Sequence, residues 1–340
     1  MKQILFLITK SEIGGAQKWT KEQIDICDGN FICHLATNRK GWLAASAQIE
    51  NIFLNRLIEK RFSLKYIFLL HKYVKANGID IVVSSSANAG IYARLLKIIN
   101  VNLRVSYVSH GWSAIYGGKK LANLYSFIEK LLSFFSDSIL CISENDYDIA
   151  AEIIGIKKNK LEQISNSIFP PSENLHLVLP SRKKILCVAR ASPPKRTDLL
   201  IAAVKDLDVE LHIVGDGELL PKLQHIATSN VIFHGGIQGF NRFQEFDIFC
   251  LISDSEGLPL AGIEAMSCGL PLILSNVGSC FELISGNGSL VSNDVESIKA
   301  AIDENINDQK SRGNFSIALY NKKFNLLKNK KKYIDYYNRI

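Results

Sequence analysis

The sequence predicts an α/β protein built from two Rossmann-like, doubly wound parallel-sheet domains facing one another across a cleft. Three observations lead there. At 340 residues the chain exceeds what one hydrophobic core usually fills, which favours two domains of roughly 150 residues each. Short apolar runs alternate with amphipathic stretches from end to end, the pattern of βα units. That alternation lapses at residues 167–181, where Pro170, Pro171 and Pro180 fall, and then restarts.

In the first half, strands are expected at 2–8, 31–36, 79–84, 103–109, 137–142 and 160–164, each a short apolar run. Helices are expected between them at 16–27, 63–76, 87–99, 120–135 and 144–154, where apolar residues recur at helical spacing; Asn77-Gly78 and Gly155 are natural stops. In the second half the expected strands are 183–189, 209–214, 231–234, 247–252 and 271–274. Helices near 196–205, 218–227, 259–268 and 294–306 separate them. In such domains ligands bind at the carboxyl ends of the strands.

Composition narrows the class. With 47% hydrophobic and 21% charged residues the chain has apolar surface for two cores and no signature of disorder. Seven scattered cysteines, none in a Cys-x-x-Cys pair, read as buried thiols of a reducing compartment and not as a disulfide framework or a metal site. The first apolar run, 4–8, is too short for a signal-peptide core, and no run reaches the length of a membrane span. The expected location is therefore the cytoplasm, either free or peripheral at the inner face of the plasma membrane. The net charge of +7 is concentrated in residues 310–340, which carry nine Lys or Arg against one acid, Asp335. Two readings of this tail stand, a solvated helical face or attachment to an anionic membrane surface. Nothing in the motifs points to nucleic acid.

The chemistry gathers in the second half. Glu256 and Glu264, with seven residues between them, bracket a strand-to-helix junction that includes Gly257, Leu258, Pro259 and Leu260. A helix N-terminus there offers backbone N–H groups and a positive dipole end to an anion, and carboxylates accept hydrogen bonds from sugar hydroxyls. Upstream, a buried strand delivers Arg190, Lys195 and Arg196 on a short loop, cations suited to a diphosphate. Gly215 ends another strand, where a missing side chain lets a ligand approach the backbone. In the first half, Gly14 and Gly15 open a helix after the first strand, and His110 ends a strand. Trp112, Tyr116 and Lys119 follow in an aromatic and basic segment expected to meet a saccharide acceptor, since aromatic faces stack on sugar rings.

Ala189-Arg190-x4-Lys195, Val214-Gly215-Asp216-Gly217, Asp254-Ser255-Glu256-Gly257-x6-Glu264-Ala265-Met266-x-Cys268-Gly269-x-Pro271 and the trailing Gly278-x3-Glu282 resemble the C-terminal domain of GT-B glycosyltransferases of family 4, the retaining group with an E-x7-E signature. The resemblance implies a GT-B fold with residues 1–170 binding the acceptor and 171–318 the nucleotide sugar. A basic C-terminal helix, 319–340, would cross back to the first domain, with Phe315, Leu319, Phe324, Leu327, Ile334 and Tyr337 as its seam. It also implies transfer of a hexosyl or N-acetylhexosaminyl group from a nucleotide diphosphate sugar, UDP being expected, to a hydroxyl of a saccharide acceptor. That acceptor is expected to be lipid-linked and to belong to surface polysaccharide assembly, and no metal or cofactor is required. Arg190 and Lys195 would then stabilise the departing diphosphate, Glu264 the donor ribose, and Glu256 the donor sugar, with His110 near the reacting centre. A sugar-nucleotide epimerase on the same fold and a catalytically silent sugar-nucleotide-binding subunit are the alternatives. A dinucleotide dehydrogenase is disfavoured, because neither half opens with Gly-x-Gly-x-x-Gly.

Overall fold

A computed structural model describes residues 1–112, 119–171 and 183–340. The chain divides into two units, Met1–Asn166 with Lys328–Ile340, and Ser167–Leu327.

The first unit holds a parallel sheet of seven strands in the order β3-β2-β1-β4-β5-β6-β7. Its strands are β1 (Gln3–Leu7), β2 (Ile32–Thr37), β3 (Ile52–Leu54), β4 (Ile81–Ser84), β5 (Arg104–Ser109), β6 (Ser138–Cys141) and β7 (Leu161–Gln163). The centre of β1 is apolar at every position because both faces are covered, as in parallel sheets generally. Leu5 and Leu7 pack with Leu70, Val74, Tyr92 and Leu96 of the helices Leu64–Ala76 and Ala87–Ile99, while Phe6 meets Tyr337 edge-on from the other face. Ser63 caps the first of these helices by accepting from Tyr66 N–H.

The second unit holds six parallel strands in the order β10-β9-β8-β11-β12-β13. These are β8 (Lys183–Val188), β9 (Val209–Val214), β10 (Val231–Gly235), β11 (Ile248–Leu251), β12 (Leu272–Ser275) and β13 (Gly288–Val291). Alternate residues of β8 feed two cores. Leu186 packs with Ile263 and Met266 of the helix Leu260–Ser267, and Ile185 and Cys187 with Leu200 and Ile298 of the helices Thr197–Val204 and Val295–Asn307. The chain runs outward from β8 to β10, then returns to β11 on the other side of β8 and runs the opposite way. The switch point of this sheet therefore lies between β8 and β11.

Strands β3 and β13 and the helices Trp42–Ser46 and Gln309–Leu319 add to the elements expected from the sequence. Both strands are short sheet edges with partly exposed positions, so they lack a buried apolar run. All seven cysteines are free thiols, and six of them are buried.

The C-terminal helix Leu326–Arg339 belongs to the first unit from Lys328 onward. It crosses later than 318/319 because Leu319, Tyr320 and Phe324 are buried in the core of the second unit. The expected seam is corrected in its members as well, for Phe315 and Leu327 are exposed. Three tyrosines hold the helix instead. Tyr336 Oη lies 2.6 Å from Ser106 Oγ and 3.1 Å from Ser138 Oγ, Tyr337 donates to Gln23 Oε1 at 2.8 Å, and Tyr333 donates to the Ser165 carbonyl at 3.2 Å. Each buries a ring and satisfies its hydroxyl, which a buried tyrosine requires. Truncating Tyr336 to Ala removes both terms, and the expected cost is about 3 kcal/mol, read as a lower midpoint in denaturant melts.

Glu22, on the helix Gly15–Cys27, is buried close to Tyr333. Burial pushes its carboxyl up to about 8, against the lowering influence of Lys18 and Lys21. Unfolded, this group releases its proton near 4.5; folded, it keeps it up to about 8. The folded state thus carries the extra proton across that window, and the contribution to stability falls as pH rises through it. Glu22→Gln should flatten the slope by about 1 kcal/mol per pH unit and raise the melting temperature at pH 8 more than at pH 5, checked by thermal melts at both.

Candidate functional site

The site candidates of the second unit sit where its sheet reverses. Loop 189–196 follows β8 and loop 252–259 follows β11, and the two are stitched together. Arg196 N–H donates to the Ile252 carbonyl at 2.9 Å, and Asp254 N–H donates to the Pro194 carbonyl at 2.8 Å. Lys195 and Ser253 form an isolated antiparallel bridge. This stitching brings Lys195 Nζ into an ion pair with Glu256 Oε1, both side chains mostly buried. Arg196 pairs with Asp198 at 3.0 Å and with Asp254 at 3.4 Å, while Arg190 is exposed at the strand end. Behind the pair, burial pushes the thiols of Cys187 and Cys280 up to about 12, leaving them protonated and inert.

Two glycines make the close approach. Gly215, at φ +150°, has the Ala189 carbonyl oxygen where a Cβ would stand, and Gly278, at φ +53°, has the Glu256 carbonyl oxygen there. Gly215 was expected to open its backbone to a ligand, and the structure gives its lack of a side chain a packing reason. Its missing side chain admits the neighbouring loop.

After loop 252–259 the helix Leu260–Ser267 begins, with Pro259 at its N-cap. Gly262 and Ile263 donate to the Pro259 carbonyl, so the first-turn amides of Leu260 and Ala261 precede the intrahelical bonds. Leu258 and Leu260 were expected at a donor site, and the structure places their side chains in the core. Glu264 is partly exposed one turn into the helix, on the same segment as Gly257 and Pro259.

Sequence reasoning missed the groups that hold the acidic loop. Ser275 Oγ accepts from Ser253 N–H at 2.9 Å and lies 2.6 Å from Asn293 Oδ1. Asn293 Nδ2 donates to the Ser253 carbonyl at 3.0 Å and to Asp254 Oδ1 at 2.9 Å. Ser253 Oγ donates to the Ser255 carbonyl at 2.9 Å. The available signal is positional: β11, β12 and β13 each end in, or are followed closely by, a Ser or Asn.

In the first unit, Gly14 precedes the helix that Gly15 opens, and its φ of 178° is extended backbone that any residue adopts. His110 follows β5 and meets Trp19 edge-on, with ring centroids 5.3 Å apart. Its Nε2 is buried without a hydrogen-bond partner among the described residues, as are the hydroxyls of Ser85 and Ser109 at the ends of β4 and β5. Burial lowers the imidazole to about 4, so His110 is neutral near pH 7 and acts there as a hydrogen-bonding group and not as a cation.

The acceptor assignment of Trp112 is corrected. The indole is buried among Tyr107, Ile139, Cys141 and Ile154, and its Nε1 donates to the Asp146 carbonyl at 2.8 Å, so no ring face is offered to a sugar. Tyr116 lies outside the described residues, and Lys119 begins the helix Lys119–Ser133.

A seven-stranded and a six-stranded parallel α/β unit in one chain make up the GT-B architecture of glycosyltransferases, and solved structures share it over the full length. A crystal structure of Anabaena HepE in complex with UDP and glucose has a TM-score of 0.85 at 17% identity, covering 100% of both chains. The lipopolysaccharide outer core galactosyltransferase WaaB, in its apo form, has a TM-score of 0.70 at 19% identity over 99% of this chain and 98% of that one. The family Glycosyltransferase Family 4 matches residues 32–170, and Glycosyl transferases group 1 matches residues 182–308. The chain is 42% identical over 313 residues to the O-antigen biosynthesis glycosyltransferase WbnH of Escherichia coli, covering 91% of each. It is 27% identical over 305 residues to a second Escherichia coli enzyme, UDP-Gal:alpha-D-GlcNAc-diphosphoundecaprenol alpha-1,3-galactosyltransferase, covering 81% of this chain and 76% of that one. This chain belongs to the family 4 glycosyltransferases.

Gly278→Ala tests the loop geometry directly. A Cβ there meets backbone at a left-handed φ, so the variant should lose about 2 kcal/mol or more, measured by calorimetry, while Ala at the open position Gly239 leaves no comparable backbone overlap.

Proposed function

We propose that this glycosyltransferase moves a hexosyl or N-acetylhexosaminyl group from a UDP-sugar to a hydroxyl of a lipid-linked saccharide, with retention at the anomeric carbon, in O-antigen assembly at the inner face of the membrane. The observation that carries the reading is the stitched pair of loops at the switch point of the second unit, which brings Lys195, Arg196, Glu256 and a helix N-terminus together. The relatives support the direction, since one is named for O-antigen biosynthesis and another for a UDP-sugar donor and a diphosphoundecaprenol-linked acceptor.

In this reading the anomeric C–O bond breaks with its electron pair on the diphosphate, so charge grows on the leaving group. Lys195 has three N–H donors; one is committed to Glu256 and the others remain for phosphate oxygens. Arg190 and the first-turn amides of the helix Leu260–Ser267 add fixed positive potential in the same place. Glu264 accepts from the ribose hydroxyls, and Glu256, oriented by Lys195, faces the donor sugar. In the same reading neutral His110 is a catalytic group, Gly14 and Gly15 bind the donor, and Lys119 and Tyr116 bind the acceptor. The diphosphate charge is met by these groups without a divalent cation or other cofactor.

Thermal shift with UDP-, GDP- and dTDP-sugars tests the donor. A UDP-sugar at about 100 times its Kd should add about 2.7 kcal/mol of stability, and equal or larger shifts with GDP-sugars sink the UDP assignment. Transfer from the selected donor to a synthetic lipid-diphosphate saccharide, with the anomeric configuration read by NMR, tests the reaction. Formation of an epimerised free nucleotide sugar, or binding without turnover, sinks it. Lys195→Met should lower kcat by about 100-fold or more, and Glu264→Gln should weaken donor binding by about tenfold; activity should survive EDTA.

A further inference from the structure

Two helices of the first unit are amphipathic, Lys119–Ser133 and Leu326–Arg339, and they spend their apolar faces differently. The C-terminal helix turns Leu326, Tyr333, Tyr336 and Tyr337 into protein, and apart from Leu327 in its first turn it is mainly its lysine-rich face that meets solvent. The helix Lys119–Ser133 does the reverse. Leu124, Phe127, Ile128 and Leu131 recur at i, i+3, i+4 and i+7 and are exposed, Phe127 by 59%. Phe134 and Phe135 continue the stripe just past its end, also exposed.

The one acid of this helix, Glu129, faces inward. Glu129 pairs at 2.9 Å with Arg94, which is 1% exposed and lies over the Tyr107 ring at 4.1 Å. Lys160 Nζ donates to the carbonyls of Ser133, Phe134 and Ser136, fixing the chain where the helix ends. An ion pair inside and a phenylalanine stripe outside is the inverse of a helix built for water. In sequence the other charged residues of the element are Lys119, Lys120 and Lys130, all positive, and Lys130 is exposed.

We propose that the helix Lys119–Ser133 is a membrane-docking element that lies in the plane of an anionic bilayer, its apolar stripe among the acyl boundaries and exposed Lys130 at the headgroups. Charge complementarity selects this occupant. Positive residues beside an apolar stripe suit a surface that is anionic at the headgroup and apolar beneath. At 15 residues the helix lies flat over about 22 Å, and no helix among the described residues is long and apolar enough to cross a membrane. The proposal rests on the reading of a lipid-linked acceptor and relocates the membrane contact. The basic tail supplies mainly screened attraction, since the tyrosines of its last helix are already used inside the protein.

Vesicle co-sedimentation of the full chain tests it, using phosphatidylglycerol–phosphatidylethanolamine vesicles against phosphatidylcholine alone. The wild type should bind the anionic vesicles preferentially, and the double variant Phe127→Ser/Leu131→Ser should bind them about tenfold or more weakly. Both positions are exposed, so the melting temperature and transfer to a water-soluble acceptor should be unchanged. Wild-type protein that ignores anionic vesicles, or a double variant that binds them like wild type, overturns the proposal. Light scattering that shows a wild-type dimer dissociated by the double variant, without vesicle binding, assigns the stripe to a second copy and overturns it too. Loss of binding on Lys328→Gln/Lys331→Gln/Lys332→Gln with full binding by the stripe variant returns the contact to the tail. Absence of transfer to any acceptor sinks the functional reading and leaves the vesicle result to stand alone.

Discussion

The geometry of the candidate site depends on how closely backbone approaches backbone at the carboxyl ends of β8, β9, β11 and β12. The Ala189 carbonyl fills the space that Gly215 leaves, and the Glu256 carbonyl fills the space left by Gly278. These contacts leave no room for a side chain at either glycine. They fix the loops after β8 and β9 against each other and those after β11 and β12 likewise, and the stitches between residues 194–196 and 252–254 join the two pairs. Lys195 and Glu256 meet because the loops that carry them have nowhere else to go. A preorganised pair of this kind spends no reorganisation when charge develops nearby, which is the physical basis of electrostatic catalysis.

The same economy governs polar groups elsewhere. Tyr333, Tyr336 and Tyr337 tie the end of the chain to the first unit with rings that exclude water and hydroxyls that find Ser165, Ser106, Ser138 and Gln23. Where no such partner is supplied, ionisation gives way: Glu22 keeps its proton and His110 loses its own. Both end up neutral in the same unit, by the same desolvation acting on opposite charges.

Much of the fold was legible because buried parallel strands write continuous apolar runs, as in β1, β11 and β12. The edge strands β3 and β13 were not, since a half-exposed strand of three or four residues leaves too little pattern to count. At the site, Lys195, Glu256 and the glycine turns were legible from residue type and spacing. Trp112 was misread because an aromatic beside glycines and lysines looks like a surface anchor, whereas its ring and Nε1 are both satisfied inside the protein. Ser253, Ser275 and Asn293 escaped notice because a lone Ser or Asn is unremarkable until the strands that carry them lie side by side.

The sequence by itself determined the class of fold and the family, because these rest on periodicity and on local strings of residues. Only the tertiary structure decided what each apolar face is for. Helical spacing marks a stripe equally well in Lys119–Ser133 and in Leu326–Arg339, yet one stripe is covered by the first unit and the other is not. Burial is a property of what packs opposite, and that partner is set by chain contacts far apart in sequence. The glycines follow the same rule, since the need for a missing Cβ at 215 and 278 arises from carbonyls that only the folded chain brings near.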